Sequence, residues 1–310
     1  MILTVTPNAA LDVTYGVGSL HPHTSHRVRT THRRAGGKGV NVARVLAALG
    51  HDITVTGLVG GPTGVVLRDD LRAAGLRDEL VPVSGDSRQT VTVVSHDDGD
   101  ATVFNEQGPR VTAPEWRTFT DHFASLVGGF KVVTLCGSLP PGLPADAYAH
   151  LIRIAARAGA VTVLDTSGPA LLDALRAGPD VVKPNTAELF AATGCEDVPA
   201  AVARLRTLGA RAVVVSAGPD GLHAVGPDGG WRAAPPKRLA GNPTGAGDAC
   251  VAALAAGLAA DGRWPDILRE AVALSAAAVP CPLAGDVDAG TYRHIRTNVT
   301  VEDVHAPQPH

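Results

Sequence analysis

The chain has 310 residues, of which 45% are hydrophobic and 18% charged, with a formal net charge of −3. This balance fits a globular protein long enough to bury a sizeable core, and it excludes the basic surface that a nucleic-acid groove requires. No apolar run approaches the length of a bilayer span, and Met1 leads directly into a strand-like segment without a charged leader, so a cytoplasmic protein is expected.

Ile2 to Thr6 alternates like a strand, Pro7-Asn8 ends it, and Leu11 to Val17 resumes an extended pattern. Asp12 therefore sits just past a strand end, the edge at which open α/β sheets collect ligands. His21-Pro22-His23-Thr24-Ser25-His26 superficially looks like a metal tract, but Pro22 and the polar neighbours fit a solvated loop. Arg27 to Thr31 alternates charged with apolar or β-branched residues and is expected to be a strand with one wet face. Ala35-Gly36-Gly37-Lys38-Gly39 then opens a helix whose Val42, Val45, Leu46 and Leu49 recur at helical spacing until Gly50. Lys38 and Arg44 put positive charge near its start, although the spacing is not that of a Walker A loop.

A strand over 53–57 is followed by a helix running to about Ala74. Arg88 to Val94 and Ala101 to Phe104 are expected to pair as a hairpin across His96-Asp97-Asp98-Gly99-Asp100, with the Asp-Gly step as turn signal. With residues 12–17 and 27–31 these strands would make a minor β-layer separate from the α/β body. From residue 113 helices (114–127, 145–158, 169–177, 185–193, 199–208) alternate with strands (131–135, 161–165, 181–182, 211–216), the pattern of a parallel sheet covered on both faces. Cys136, Cys195, Cys250 and Cys281 are widely spaced and have the character of small core residues rather than a disulfide framework or a zinc site.

The chain is organised around Gly241-Asn242-Pro243-Thr244-Gly245-Ala246-Gly247-Asp248, followed by an alanine-rich helix to about Leu258, with helix continuing to about Val279. Small residues ahead of a helix start let backbone N–H groups approach an anion. A carboxylate at that place repels a phosphate, which makes sense if Asp248 takes a proton from an attacking hydroxyl. Taken alone, the stretch is equally a turn with an acid that favours the helix dipole.

Two glycine-rich helix starts about two hundred residues apart, an N-terminal Asp at a strand edge, and Lys183-Pro184-Asn185 with Glu188 between them form an ordered set. The set resembles the ribokinase-like sugar kinases, also called the phosphofructokinase B family, and more narrowly the branch with 1-phosphofructokinase and tagatose-6-phosphate kinase. The resemblance spans Ile2 to about Asp288. It implies a single ribokinase-like domain over 1–310, a three-layer α/β/α sandwich with a mainly parallel central sheet, and a discontinuous β lid from about 12–34 and 86–106. It further implies that Gly245, Ala246 and Gly247 form the anion hole and Asp248 is the base. Asn185 and Glu188 would position Mg²⁺ and the ATP phosphates, with Lys183, Ser216, Gly218 and Gly221 against the nucleotide.

For the acceptor, the resemblance assigns Asp12, Gly36, Gly37, Lys38 and Asn41 to sugar hydroxyls, and Arg27, Arg88 and Ser138 to the sugar and its existing phosphate. Two arginines and Lys38 suit a dianionic phosphate. The implied reaction is ATP-dependent phosphorylation of a ketohexose monophosphate, tagatose-6-phosphate or fructose-1-phosphate. The rivals are an unphosphorylated sugar or nucleoside as acceptor, or a silent sugar-phosphate sensor. Asn8-Ala9-Ala10-Leu11-Asp12-Val13 lacks the arginine usual after this Asp in 1-phosphofructokinases, and Arg88-Gln89-Thr90-Val91-Thr92 lacks a further amide and lysine. The lid, with an exposed face and edges, is expected to close over the sugar and to carry a homodimer contact.

Overall fold

The computed structural model describes residues 1–97, 100–239, 241 and 243–304. The N-terminal part runs β1 (Ile2–Thr6), β2 (Ala10–Val17), β3 (Thr30–Gly36), α1 (Lys38–Ala48), β4 (Ile53–Gly60), α2 (Gly61–Ala73), β5 (Arg77–Val83), β6 (Arg88–Ser95) and β7 (Asp100–Asn105). The alternating part runs α3 (Ala113–Leu126), β8 (Val132–Cys136), α4 (Ala147–Arg157), β9 (Val161–Asp165), α5 (Gly168–Leu175), β10 (Val181–Val182), α6 (Thr186–Thr193), α7 (Val198–Thr207) and β11 (Ala212–Ser216). The chain closes with β12 (Leu222–Gly226), β13 (Gly229–Ala234), α8 (Ala246–Ala259), α9 (Trp264–Ala278), α10 (Ala289–Arg296) and β14 (Thr300–Val304).

Ten strands form one sheet in the order β14-β13-β12-β11-β10-β9-β8-β1-β4-β5. From β5 to β11 every neighbouring pair is parallel, whereas β12, β13 and β14 are added antiparallel at one edge. Each central strand is buried on both faces because its side chains alternate between two apolar layers. Ile2, Val132, Val163 and Val214 face a cluster with α1, α2, α8 and α9, and Leu3, Val133, Leu164 and Val213 face one with α3, α4, α5 and α7. These are the three layers expected. The alanine run of α8 is buried along its first three turns, Ala249 to Ala255, which places this helix inside the fold, against α1 and α9. Among the described residues no helix is long and apolar enough to cross a membrane.

The second sheet has the order β3-β2-β6-β7 and draws its strands from two separated stretches of chain, as the sequence patterns indicated. Its register places Asp12 between Arg34 on one side and Thr90 on the other. The strand expected over 27–31 begins instead at Thr30, because its partner β2 runs out at Val17 and the last paired position is Gly16 with Thr30. The Asp98-Gly99 turn lies outside the described residues, although β6 and β7 on either side of it do pair antiparallel. Five further elements went unassigned in the sequence: β5, whose Arg77-Asp78-Glu79 start hides it, β12 and β13, which pair as a hairpin, and α10 and β14 at the terminus. Asp78 is accounted for by its ion pair with Arg68 of α2, made across the helix–strand contact.

Candidate active site

The carboxyl ends of the parallel strands open into a cleft of about 1530 Å³ roofed by the small sheet. Thr6 ends β1, Gly137-Ser138 follows β8, Asp165 ends β9, Lys183 follows β10 and Ser216 ends β11, and all of them line this cleft. Parallel strands deliver their last residues to one edge, which is why these side chains from distant parts of the chain converge.

Asp248 lies on the cleft floor in the first turn of α8 and is only 7% exposed. The helix starts from Gly245, whose φ of 90° is left-handed and whose missing Cβ would come within 2.9 Å of the Ala284 Cα. First-turn N–H groups of a helix point outward without intrahelical acceptors. Of the three expected anion donors, Ala246 already gives its N–H to the Pro243 carbonyl at 3.1 Å. Asn242 of the same loop lies outside the described residues. The Asp248 carboxylate accepts from Asn41 Nδ2 at 2.9 Å. Burial, and then the charge of Asp165, push its pKa up to about 7, with Asn41, Lys38 and Lys183 opposing.

Asp165, 1% exposed, was not singled out in the sequence and proves central. Its Oδ1 lies 3.0 Å from Lys38 Nζ and 3.6 Å from Lys183 Nζ, so one carboxylate holds two ammonium groups at the cleft floor. Burial is the largest single influence and would lower both lysines, but the charges of Asp165, Glu188 and their neighbours together outweigh it, and both lie above their usual value. Its one sequence signal was an acid at the end of a parallel strand. Lys38 therefore faces Asp165 and Asp248 rather than standing free for a sugar phosphate.

At the other end of the cleft Asp12 is held at about 6, raised by burial and opposed by Arg88, Thr90 and Arg34. Gly36 is required beside it, since a Cβ there would fall 1.9 Å from the Asp12 carboxylate. Gly37 caps α1 and also lines the cleft. Arg88 donates through Nε to the Asn8 carbonyl at 3.1 Å and through Nη1 to the Glu106 carbonyl at 3.3 Å. Burial pulls its guanidinium below the usual value, with Asp12 and Glu106 opposing. Ser138 accepts from Asn8 Nδ2 at 3.1 Å. Arg34, which the sequence did not single out, also lines this region. Arg27 does not: it lies exposed in the segment before β3 and is absent from the cleft wall, because the strand that would have aimed it starts three residues later.

Thr6 Oγ1, Asn8 Oδ1 and Asn41 Oδ1 are buried in this cleft without a hydrogen-bond partner.

Asn185 and Glu188 form a reciprocal capping box at the start of α6, Glu188 N–H to Asn185 Oδ1 at 2.8 Å and Asn185 N–H to Glu188 Oε2 at 2.9 Å. Their spacing thus has a structural role whatever else they do. Both line the cleft, and one carboxylate with one amide oxygen are hard donors that fit a cation keeping most of its waters. Among the described residues no three His, Cys, Asp or Glu side chains cluster as a complete metal cage. Ser216, Gly218 and Gly221 border the same end.

Residues 8–289 match the family model described as pfkB family carbohydrate kinase. The fold superposes on phosphofructokinase-2 from Escherichia coli with a TM-score of 0.89 at 28% identity, covering 96% of this chain and 98% of that one. A protein from Staphylococcus aureus named a putative phosphofructokinase aligns at 28% identity and TM-score 0.83 over 99% and 100% of the two chains. A possible 1-phosphofructokinase from Thermotoga maritima aligns at 25% identity and TM-score 0.88 over 98% and 99%. A ribokinase from Arabidopsis thaliana, at 22% identity and TM-score 0.77 over 95% and 98%, shares the fold. Family match, architecture and cleft chemistry agree: the chain is a ribokinase-like protein that belongs to the pfkB family of carbohydrate kinases.

Proposed function

We propose that this sugar kinase transfers the γ-phosphoryl group of ATP to a hydroxyl of a ketohexose monophosphate such as tagatose-6-phosphate or fructose-1-phosphate. The observation that carries the reading is the pairing in one cleft of a buried carboxylate at a helix start, Asp248, with an acceptor-side carboxylate, Asp12, next to a half-buried arginine, Arg88. The E. coli phosphofructokinase-2 to which the chain is 28% identical has been crystallised with fructose-6-phosphate, and with substrates and products.

In this reading Asp12 and Asn41 hold sugar hydroxyls and Arg88 holds the acceptor's phosphate. Asp248 removes the proton of the primary hydroxyl, whose oxygen forms a bond to the γ-phosphorus as the bond to the β-phosphate oxygen breaks and ADP leaves. A base held near 7 is half ionised at neutral pH and strong enough to accept that proton. Lys183 and Lys38, oriented by Asp165, and the amides of Gly245 and Gly247 at the start of α8 stabilise charge on the transferring group, Ala246 being engaged by the Pro243 carbonyl. Asn185 and Glu188 would hold Mg²⁺ through its waters; the ion offsets phosphate charge when bound. Ser216, Gly218 and Gly221 border the nucleotide.

Asp248→Asn should bind both substrates while turnover falls by about two to four powers of ten. Near-normal turnover in that variant would overturn the assignment. An ATP-consumption assay with fructose-1-phosphate, fructose-6-phosphate, tagatose-6-phosphate and fructose selects the acceptor. A neutral acceptor is the second reading, favoured by the exposed position of Arg27 and the pairing of Lys38 with Asp165, which leave Arg88 and Arg34 as the nearby arginines. We further propose a homodimer through the lid, supported by the 57% exposed Phe104 of β7, which lies on the opposite face of that strand from the cleft-lining Val103. A monomer by light scattering would refute it.

A further inference from the structure

Arg34 lies on β3 directly across from Asp12, so its backbone belongs to the acceptor-side roof of the cleft. Its side chain leaves that sheet and crosses to the loop after α9. There Nη1 donates to both Asp286 oxygens, at 3.1 and 3.0 Å, and Nη2 donates to the Ala284 carbonyl. Its side chain is only 14% exposed. Ala284 is the residue against which Gly245, the first residue of the phosphoryl-side loop, is packed. Gly285 between the two contacts has a left-handed φ of 87° and is closely packed: a Cβ would lie 3.0 Å from Arg34 Nη2 and 3.2 Å from the Asn41 Cα, and Asn41 is the residue bonded to Asp248.

A second ion pair braces the same junction from below. Arg44 of α1 pairs with Asp70 of α2, and Asp70 accepts the Ala35 N–H at 2.8 Å, next to Arg34 in the chain. Two acid–base pairs, Asp70 with Arg44 and Arg34 with Asp286, thus run from α2 through α1 and β3 to the 284–286 loop. The acceptor sheet and the loop that starts α8 are distinct elements, joined also through the Asn41–Asp248 bond, whose relative placement decides whether the sugar oxygen meets the phosphorus. Reaction rates are steeply sensitive to such placement.

We infer that Arg34 is a positioning residue that joins the acceptor sheet to the phosphoryl loop through Ala284 and Asp286, so that Asp12 and Asp248 keep their mutual geometry. The inference rests on the kinase reading above. Loosening the joint lets ATP bind with the acceptor out of line, so water competes for the γ-phosphorus while substrate contacts are kept.

The test compares Arg34→Gln, Arg34→Lys and Asp286→Asn with the unaltered chain. Expected for Arg34→Gln are a ten- to hundredfold fall in kcat for transfer, about the range for a misplacement near 1 Å, acceptor and ATP KM changed less than about threefold, and a larger share of ATP hydrolysed without transfer. Arg34→Lys, keeping charge but only one of the contacts, should recover part of the coupling. Asp286→Asn, on a half-exposed carboxylate, should show the same pattern if Arg34→Gln fails to fold. Amide exchange at 246–248, read without any substrate, should rise in both. Normal kcat with normal amide exchange overturns the inference, as does a loss confined to acceptor KM, which would make Arg34 a direct substrate contact. An inactive Asp248→Asn beside a normal Arg34→Gln would reject only the joint, whereas an active Asp248→Asn would reject the kinase reading itself.

Discussion

Replacing Asp248 by Asn should make the protein more stable as it makes it inactive, and the gain should depend on pH. Burial and Asp165 raise this carboxyl from 3.8 to about 7. Between those two values the folded chain holds a proton that the unfolded chain has released, so folding stability falls as pH rises from about 4 to about 7 and is level above. At about 1.4 kcal/mol for each pH unit between the two values, the ionised Asp248 costs on the order of 4 kcal/mol above pH 7. Asparagine has nearly the same shape, carries no charge and can still accept from Asn41 Nδ2. Urea denaturation should therefore find Asp248→Asn more stable than the unaltered chain by a few kcal/mol at pH 8.5, and by under about half as much at pH 5, where the native Asp248 is already neutral. The same preparation should show turnover down by about two to four powers of ten. Equal stabilities at pH 8.5 would refute the argument, because a carboxylate that costs nothing when ionised is not held in the desolvated state that makes it a base.

The remaining predictions use the same geometry. With Asp248 near 7 and Asp12 near 6, kcat/KM should climb with pH, more steeply below about 6, and level off above about 7; a profile flat from pH 5 to 8 would contradict both roles. Arg88→Met should raise KM for a phosphorylated acceptor by roughly ten- to a hundredfold, the worth of charged hydrogen bonds, with little effect on fructose; steady-state kinetics on both acceptors checks this. Gly245→Ala forces a left-handed backbone on a residue whose new Cβ meets Ala284 at 2.9 Å, so the thermal midpoint and turnover should both drop, and an unchanged melt would count against the packing described. Asn185→Ala breaks the capping box and should cost about 1 kcal/mol in denaturation, with a raised Mg²⁺ requirement in the kinase assay only if the side chain also serves the ion.

Local periodicity made much of this legible. The run 161–165 coincides with β9, and the helix from Lys38 and the helix after Gly245 stand where glycine and apolar spacing put them. The small sheet was likewise readable from short β-rich runs, since strand alternation is a property of neighbouring residues. The strand β5 was not, because its exposed start pairs with β4 and its Asp78 is neutralised by Arg68, and neither partner is visible in a window of seven residues.

Residue order alone determined the α/β class, the two glycine-opened helices and the acid in the second. The tertiary fold decided which charges meet. Asp165 became the hinge of the site only because β9 ends beside Lys38 and Lys183, and Arg34 met Asp286 from 252 residues away. Arg27 was left in solvent because β2 ended before it could pair. Secondary structure follows from interactions within a few residues, whereas the pairing and burial of charges depend on where strand ends and loops come together in space, and no local pattern encodes that.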